Sequence, residues 1–211
     1  NRIISNETRP CEHPKYWPYK IPSEKQSKHP FWVHYRSLDE LETAQKVVQY
    51  LDKVWDFEVN VLGFSPPLPD SSNECGPDEK FDVFIWKGKE TCFVNAIHED
   101  PEEKYRIAAP WGGRTSYMVV DPWGKYGGDI LLQTMAHEFN HASHATDDWY
   151  ESGDVFEMTA SYIEQYYGKA EVKHIIDFQG HPDWSILWYD DYKTYYMYGS
   201  AIYLYFLRDR Y

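Results

Sequence analysis

The chain has no run of about 18 apolar residues, which is the length that a membrane-spanning helix needs. Its opening stretch, NRIISNETRPCEHPKYWPYK, also lacks the apolar core of a secretory signal. No internal repeat or low-complexity tract is present. These absences predict a soluble chain in a mature or trimmed form, with no part that is embedded in a membrane.

Positive charge is scarce as well. Of the 211 residues, 21 are Lys or Arg and 34 are Asp or Glu, so the formal net charge is −13. No local basic patch interrupts this acidic excess. A surface of this sign repels nucleic acid and anionic lipid. We therefore expect neither nucleic acid nor a membrane as a partner.

Cysteine is rare, with residues only at Cys11, Cys75 and Cys92, and no Cys-x-x-Cys pair occurs. This argues against a cysteine-based structural zinc site and against a thioredoxin-like motif. Cys75 and Cys92 flank one short segment and could form a disulfide, which leaves Cys11 as a free thiol or as half of a bridge to a missing segment. The pairing stays open. The sequon Asn6-Glu7-Thr8 is compatible with secretion.

Aromatic side chains, in contrast, make up 18% of the residues, and this share argues for a packed interior and against disorder. The length suffices for one hydrophobic core or for two small lobes beside a cleft. Prolines recur through the first thirty residues, so we expect an extended arm over residues 1–36 and a single domain over 37–211. These prolines are Pro10, Pro14, Pro18, Pro22 and Pro30.

After the arm, apolar periodicity predicts a long helix followed by strands. The segment SLDELETAQKVVQYLDKVWDFEVNVLGF begins at Ser37 or Asp39, has apolar residues at helical spacing and ends at Gly63. The segment FDVFIWKGK alternates apolar and polar residues like a strand. A second strand is predicted over the β-rich run from Tyr117 to Val120.

The rest of the chain is predicted to be helical. The segment ILLQTMAHEFNHASHA follows Asp129, a good N-cap residue, and contains neither Gly nor Pro. A second helix, VFEMTASYIEQYY, starts behind Asp154 and stops at Gly168, and the apolar run YGSAIYLYFLRDRY follows later. The helices and strands together predict an α+β fold.

The string HEFNH carries the strongest chemical signal. Residues four apart share one helix face, so His137 and His141 can present two imidazole nitrogens to one metal ion. Glu138 is rotated by about 100°, where it can reach a metal-bound water as a catalytic base. A solvated face of His and Glu side chains is the alternative, and the nearby His144 gives it some weight.

A catalytic zinc ion usually takes three protein ligands, so a third ligand is needed. Asp147 lies six residues after His141, at the interval of metzincins, but a helix that continued through His144 would carry it away from the metal. Glu157, on the next predicted helix, is the preferred candidate. It has an alternative role as well, because Asp154 and Glu157 fit the spacing of a capping box.

With these residues in place, the chain resembles the gluzincin clan of zinc peptidases, which includes thermolysin-like and aminopeptidase-like enzymes. HEFNH is followed by a helix that reads Glu-x-Thr-Ala-x-Tyr, and the likeness is greatest to little-studied secreted bacterial gluzincins. It extends over roughly Ser37 to Tyr211. One departure is Ser161, where thermolysin-like enzymes often carry an Asp that orients a histidine; here Glu164 or a backbone carbonyl is expected to take that role. Flanking segments that add to the resemblance are Leu62-Gly63-Phe64, Pro67-Leu68-Pro69-Asp70, Val119-Val120-Asp121 and Tyr198-Gly199-Ser200.

The resemblance implies a secreted zinc endopeptidase. Its upper lobe, over about 37–145, would carry helices on a small mixed sheet with an edge strand over the cleft. The HExxH helix would lie at the centre, and a mainly helical lower lobe would span about 146–211. The edge strand would hold an extended peptide through Ser116, Tyr117, Met118 and Val119.

Several expectations complete this interpretation. Tyr198 and His174 are candidates to stabilise the oxyanion, since similar enzymes use a Tyr or His from their C-terminal part. We expect one catalytic Zn²⁺, with Ca²⁺ as a further candidate in the acidic stretch 70–79, and a monomer that acts on protein or peptide substrates. Two alternatives stay open, namely a metzincin-like protease with Asp147 as third ligand and a non-catalytic, aromatic-rich module that binds peptide or carbohydrate.

Overall fold

The computed structural model of this chain describes residues 16–25, 28–68, 80–89, 92–95, 112–168, 172–188 and 193–211. The chain divides into two compact units, residues 1–149 and residues 150–211. Cys11, Cys75, the sequon at Asn6 and the proposed calcium-binding stretch 70–79 lie outside the described residues. Both helices and a mixed sheet are present, so the predicted α+β class is confirmed.

The first unit contains a five-stranded mixed sheet in the order β1-β2-β3-β5-β4. Strands β2, β3 and β5 run parallel to one another, whereas β1 and β4 are antiparallel to their neighbours. All side chains of β3 and β5 are buried, as expected for parallel strands that are covered on both faces. The strands are β1 (Tyr19–Pro22), β2 (Phe31–Tyr35), β3 (Phe81–Ile85), β4 (Cys92–Asn95) and β5 (Ser116–Val120).

The order of the strands corrects one prediction. Ser116–Val120 was expected to be an edge strand, but β5 pairs with β3 on one side and with β4 on the other. Its main-chain donors and acceptors are used within the sheet, so the prediction of an edge strand is wrong, and Ser116, Tyr117, Met118 and Val119 have no free strand edge with which to pair a peptide. Among the described strands, β4 is the one at this end of the sheet.

The predicted N-terminal arm also differs from the structure. Strand β1 pairs with β2, and Trp17 is buried against Phe84. Tyr19–Pro22 therefore belongs to the sheet, and Trp17 packs against it. Pro22 is compatible with this place because β1 lies at the outer edge, where a missing N–H does not interrupt a ladder.

The long predicted helix is confirmed, although it changes character along its length. A 3₁₀ turn (Leu38–Glu40) leads into α1 (Leu41–Trp55), which continues as a π-helical segment (Asp56–Val61). The inward face of α1 carries Ala44, Val47, Val48, Leu51, Val54 and Trp55. In the π-helical segment, one residue is buried, and it is an acid, Glu58.

The HEFNH helix is confirmed as α2 (Leu131–Asp147), which packs against α1, β4 and β5. Phe139, within the motif, contacts Trp55 and Phe81 at ring-centroid distances of 5.3 and 5.9 Å. Asp129 is not its N-cap, because the residue lies inside a preceding 3₁₀ turn (Gly128–Ile130). Aromatic packing of Phe139 therefore fixes the motif against the core of the first unit.

In the described part of the second unit, the regular elements are helices. Helix α3 (Gly153–Glu164) contacts both α5 (Tyr196–Gly199) and α6 (Ile202–Arg210), and α4 (Val172–Gly180) packs against α5. The predicted helix behind Asp154 is thus confirmed.

Gly199 allows the close approach of α4 and α5. A Cβ atom at this position would collide with the main-chain oxygen of His174 and would lie 2.7 Å from Cβ of Phe178. We expect Gly199→Ala to lower the free energy of unfolding by about 1–3 kcal/mol, the usual cost of overpacking. Gly180→Ala is the matched control, since nothing lies within 4 Å of its Cβ position. Thermal unfolding of both variants tests this, and equal midpoints would contradict it.

Candidate metal centre

Helix α2 presents His137 and His141 one turn apart, and both side chains are buried. Their Nε2 atoms are 3.1 Å apart, and the rings meet edge to face at a centroid distance of 4.7 Å. Two imidazole nitrogens on one tetrahedral zinc ion, each about 2.0–2.1 Å from it, would be about 3.3–3.4 Å apart. The two nitrogens therefore converge at a spacing that fits a shared ion.

Glu157 completes a group of three. Its carboxylate and the ring nitrogens of His137 and His141 lie within 4.8 Å of one another, and all three side chains are buried. Burial of an acid beside two imidazoles is costly unless a charge compensates it. The group could hold a metal ion, and its nitrogen and oxygen donors are of the kind that zinc accepts.

Asp147, the rival third ligand, lies elsewhere. Helix α2 continues through His144 to Asp147, so this residue is about 9 Å further along the axis than His141. Its carboxylate is exposed and accepts a hydrogen bond of 2.6 Å from Ser65 Oγ. Among the described residues, Asp147 belongs to no group that could hold a metal ion.

The capping alternative for Glu157 does not fit the observed start of α3. The helix begins at Gly153 with Ser152 as its N-cap, so Asp154 is its second residue rather than its cap. The third residue, which closes a capping box, is Val155. Glu157 lies about one turn beyond the start of the helix, and its side chain is buried.

Glu138 follows the first histidine directly and is half-buried. Its position on α2 is rotated by about 100° from His137, which takes it off the stripe that carries the two imidazoles. In HExxH helices, this rotation keeps the glutamate that acts as the base apart from the two histidine ligands.

The structure adds a residue that the sequence interpretation missed. Glu58 is fully buried, and its Oε2 accepts a hydrogen bond of 3.0 Å from Nδ2 of Asn140, which belongs to HEFNH. Burial raises the pKa of Glu58 well above its usual range, while the Asn140 bond and the charge of His137 act in the opposite direction. The sequence did indicate that Glu58 is buried. It follows Val54 by four residues and Trp55 by three, so helical periodicity places it on the same buried side.

The two oxyanion candidates lie together in the second unit. His174 on α4 stacks on Tyr198 of α5 with a centroid distance of 5.1 Å, and it also stacks on Tyr195 at 5.0 Å. His174 and Tyr198 line a small pocket with Gln165 and Tyr205. Their arrangement within this unit is therefore one of aromatic packing.

Comparison of the chain with protein-family models, curated proteins and solved structures gives no match. No described helix combines the length and the apolar character that crossing a membrane requires.

Proposed function

We propose that this protein is a zinc-dependent endopeptidase with a gluzincin-type centre. One observation supports this most directly: the donor atoms of His137, His141 and Glu157 lie within 4.8 Å of one another in a buried group. Two imidazoles and one carboxylate form the ligand set of thermolysin-type catalytic zinc sites, which keep a fourth position for water. The proposal assigns Glu138 as the base.

In this proposal, His137, His141 and Glu157 hold the zinc ion. When bound, zinc would polarise the scissile carbonyl and lower the pKa of a water molecule towards neutrality. Glu138 would act as the general base that takes a proton from the attacking water. The same carboxyl would then give this proton to the leaving amine as the C–N bond breaks, so Glu138 would return to its starting charge.

An extended peptide substrate needs a strand edge. Since β5 is paired on both sides, we assign this role to β4, the terminal strand among those described. Support comes from the packing of α2 against β4, which places the HEFNH helix beside that strand. Main-chain pairing would then provide affinity that does not depend on the side-chain sequence of the substrate. Tyr198 and His174 remain the proposed oxyanion donors.

Metal content tests the proposal directly. We expect the protein, purified without chelator, to contain one zinc ion per chain and to cleave casein or a quenched fluorescent peptide. Removal of zinc with a chelator should abolish cleavage, and added zinc should restore it. Absence of stoichiometric zinc would reject the enzyme assignment and favour a non-catalytic binding module. Zinc without cleavage would retain the metal centre and reject the peptidase.

A further inference from the structure

Two further polar side chains flank Glu157 on the buried face of α3. Asp154 precedes Glu157 by three residues and Ser161 follows it by four, so one face of the helix carries all three. Asp154 and Ser161 are each 2% exposed, and neither Oδ2 of Asp154 nor Oγ of Ser161 has a hydrogen-bond partner among the described residues. Buried polar groups normally have partners, so this face is suited to receive a polar or charged group.

The start of α3 does not account for the burial of Asp154. Ser152 is the N-cap, and Asp154 is the second residue of the helix. A carboxylate in the first turn is stabilised by the helix dipole, but that benefit does not require burial. A buried carboxylate loses its hydration and is retained where a positive charge compensates it. A positive charge near Asp154 would therefore explain its position better than the helix dipole does.

Asp154 and Glu157 also bring two carboxylates to the same buried face. Residues three apart on a helix have Cβ atoms about 5–6 Å apart, and like charges on neighbouring positions destabilise a helix. A divalent cation held by His137, His141 and Glu157 would reverse this effect. With two neutral imidazoles, the carboxylate of Glu157 cancels one of the two positive charges of the ion, and the carboxylate of Asp154 would cancel the other.

We propose that Asp154 is a positioning residue of the metal centre that supplies its second negative charge without binding the ion. The inference rests on the proposed function, since it assumes that the group binds a divalent metal. Asp154 is not among the three residues whose donor atoms converge, so it acts through the groups around the ion. In metal sites, carboxylates outside the ligand set accept from the second ring N–H of a histidine ligand, which orients the ring and raises its basicity.

The test compares zinc affinity in two variants of the full chain. Asp154→Asn keeps the size of the side chain and removes its charge, whereas Asp154→Glu keeps the charge. We expect the zinc affinity of Asp154→Asn, measured by competition with a chromophoric chelator, to fall by about 10–100-fold, the usual effect of losing a partner outside the ligand set. Asp154→Glu should bind zinc more tightly than Asp154→Asn, and equal affinities of these two variants would overturn the role of charge.

Thermal unfolding with and without zinc provides a second readout. A ligand that binds only the folded chain raises the unfolding midpoint, and at one ligand concentration the rise grows with affinity. We expect zinc to raise the midpoint less in Asp154→Asn than in the wild type. The midpoint of the metal-free variant should stay equal or rise, because one of two neighbouring buried acids is gone. A residue that served only the helix dipole would show the reverse, with a lowered metal-free midpoint and an unchanged zinc affinity.

Asp52→Asn provides a matched control. Asp52 is also a buried carboxylate on a helix, but its Oδ1 lies 2.7 Å from Nδ1 of His29. This variant removes the same charge at a distant position, so it should lose stability and keep its zinc affinity. An equal fall in zinc affinity in Asp52→Asn and Asp154→Asn would show that net charge matters rather than position, and it would overturn the inference.

The outcomes separate the inference from the function on which it rests. If the wild-type chain binds no zinc, the proposed function fails and the inference fails with it. If the wild type binds zinc and Asp154→Asn binds it equally well, only the inference is overturned. A loss of affinity that merely follows a lowered metal-free midpoint would assign Asp154 a structural role and would also overturn it.

Discussion

Glu138→Gln is expected to retain a full complement of zinc and to lose nearly all peptidase activity. The variant leaves the three grouped residues, His137, His141 and Glu157, unchanged. It removes only the carboxylate that accepts the proton in the proposed reaction. A positioned general base contributes about 10²–10⁴-fold to rate, so kcat should fall by a factor in that range.

The measurement pairs zinc content with kcat on a quenched fluorescent peptide. Glu42→Gln, an exposed acid on α1, is the matched control and should match the wild type in both values. Cleavage at the wild-type rate by zinc-loaded Glu138→Gln would reject Glu138 as the base. Loss of zinc from this variant would instead show that Glu138 supports the metal, and the separation of base from ligands would then be wrong.

The histidine pair was predictable because its geometry is local. A helix with His at positions i and i+4 brings the imidazoles together whatever the rest of the chain does, and α2 shows this at 3.1 Å. The separation of Asp147 from the histidine pair was predictable for the same reason, since it required only that the helix continue past His144. Such inferences depend on helix pitch alone.

The order of the strands was not predictable in this way. The strand over residues 117–120 was identified by its β-rich composition, but its neighbours depend on contacts far apart in the chain. β4 is a short strand without a strong sequence pattern, and its pairing with β5 moved the sheet edge away from Ser116 to Val119. The strand β1 was hidden in a proline-rich stretch, where prolines are tolerated because it is an edge.

Glu58 is a third case, in which the sequence pattern indicated a buried acid and the interpretation overlooked it. Helical periodicity places it on the same stripe as Leu51, Val54 and Trp55, which are buried. An acid on such a stripe is expected to have a polar partner, because buried charge without one is rarely tolerated. What the sequence could not provide was the identity of that partner, Asn140, since their contact joins residues 82 positions apart.

Glu157→Ala should weaken zinc binding, whereas Asp147→Ala should not. Glu157 lies in the buried group with both imidazoles, so its replacement would remove one of the three proposed ligands. Loss of a partner outside the ligand set costs about 10–100-fold in metal affinity, and we expect loss of a ligand itself to cost more than about 100-fold. Asp147 is exposed and bonded to Ser65, so its replacement should cost about 0.5–1.5 kcal/mol of stability at most and leave zinc affinity unchanged.

Zinc content after dialysis against a weak chelator, measured with far-ultraviolet circular dichroism on the same samples, distinguishes the two ligand assignments. Zinc lost from Glu157→Ala with helical signal retained supports Glu157 as the third ligand. Zinc lost only from Asp147→Ala would transfer that role to Asp147 and require α2 to unwind after His144, against the helix that is observed. Because both variants remove a single carboxylate, a difference between them reflects position rather than net charge.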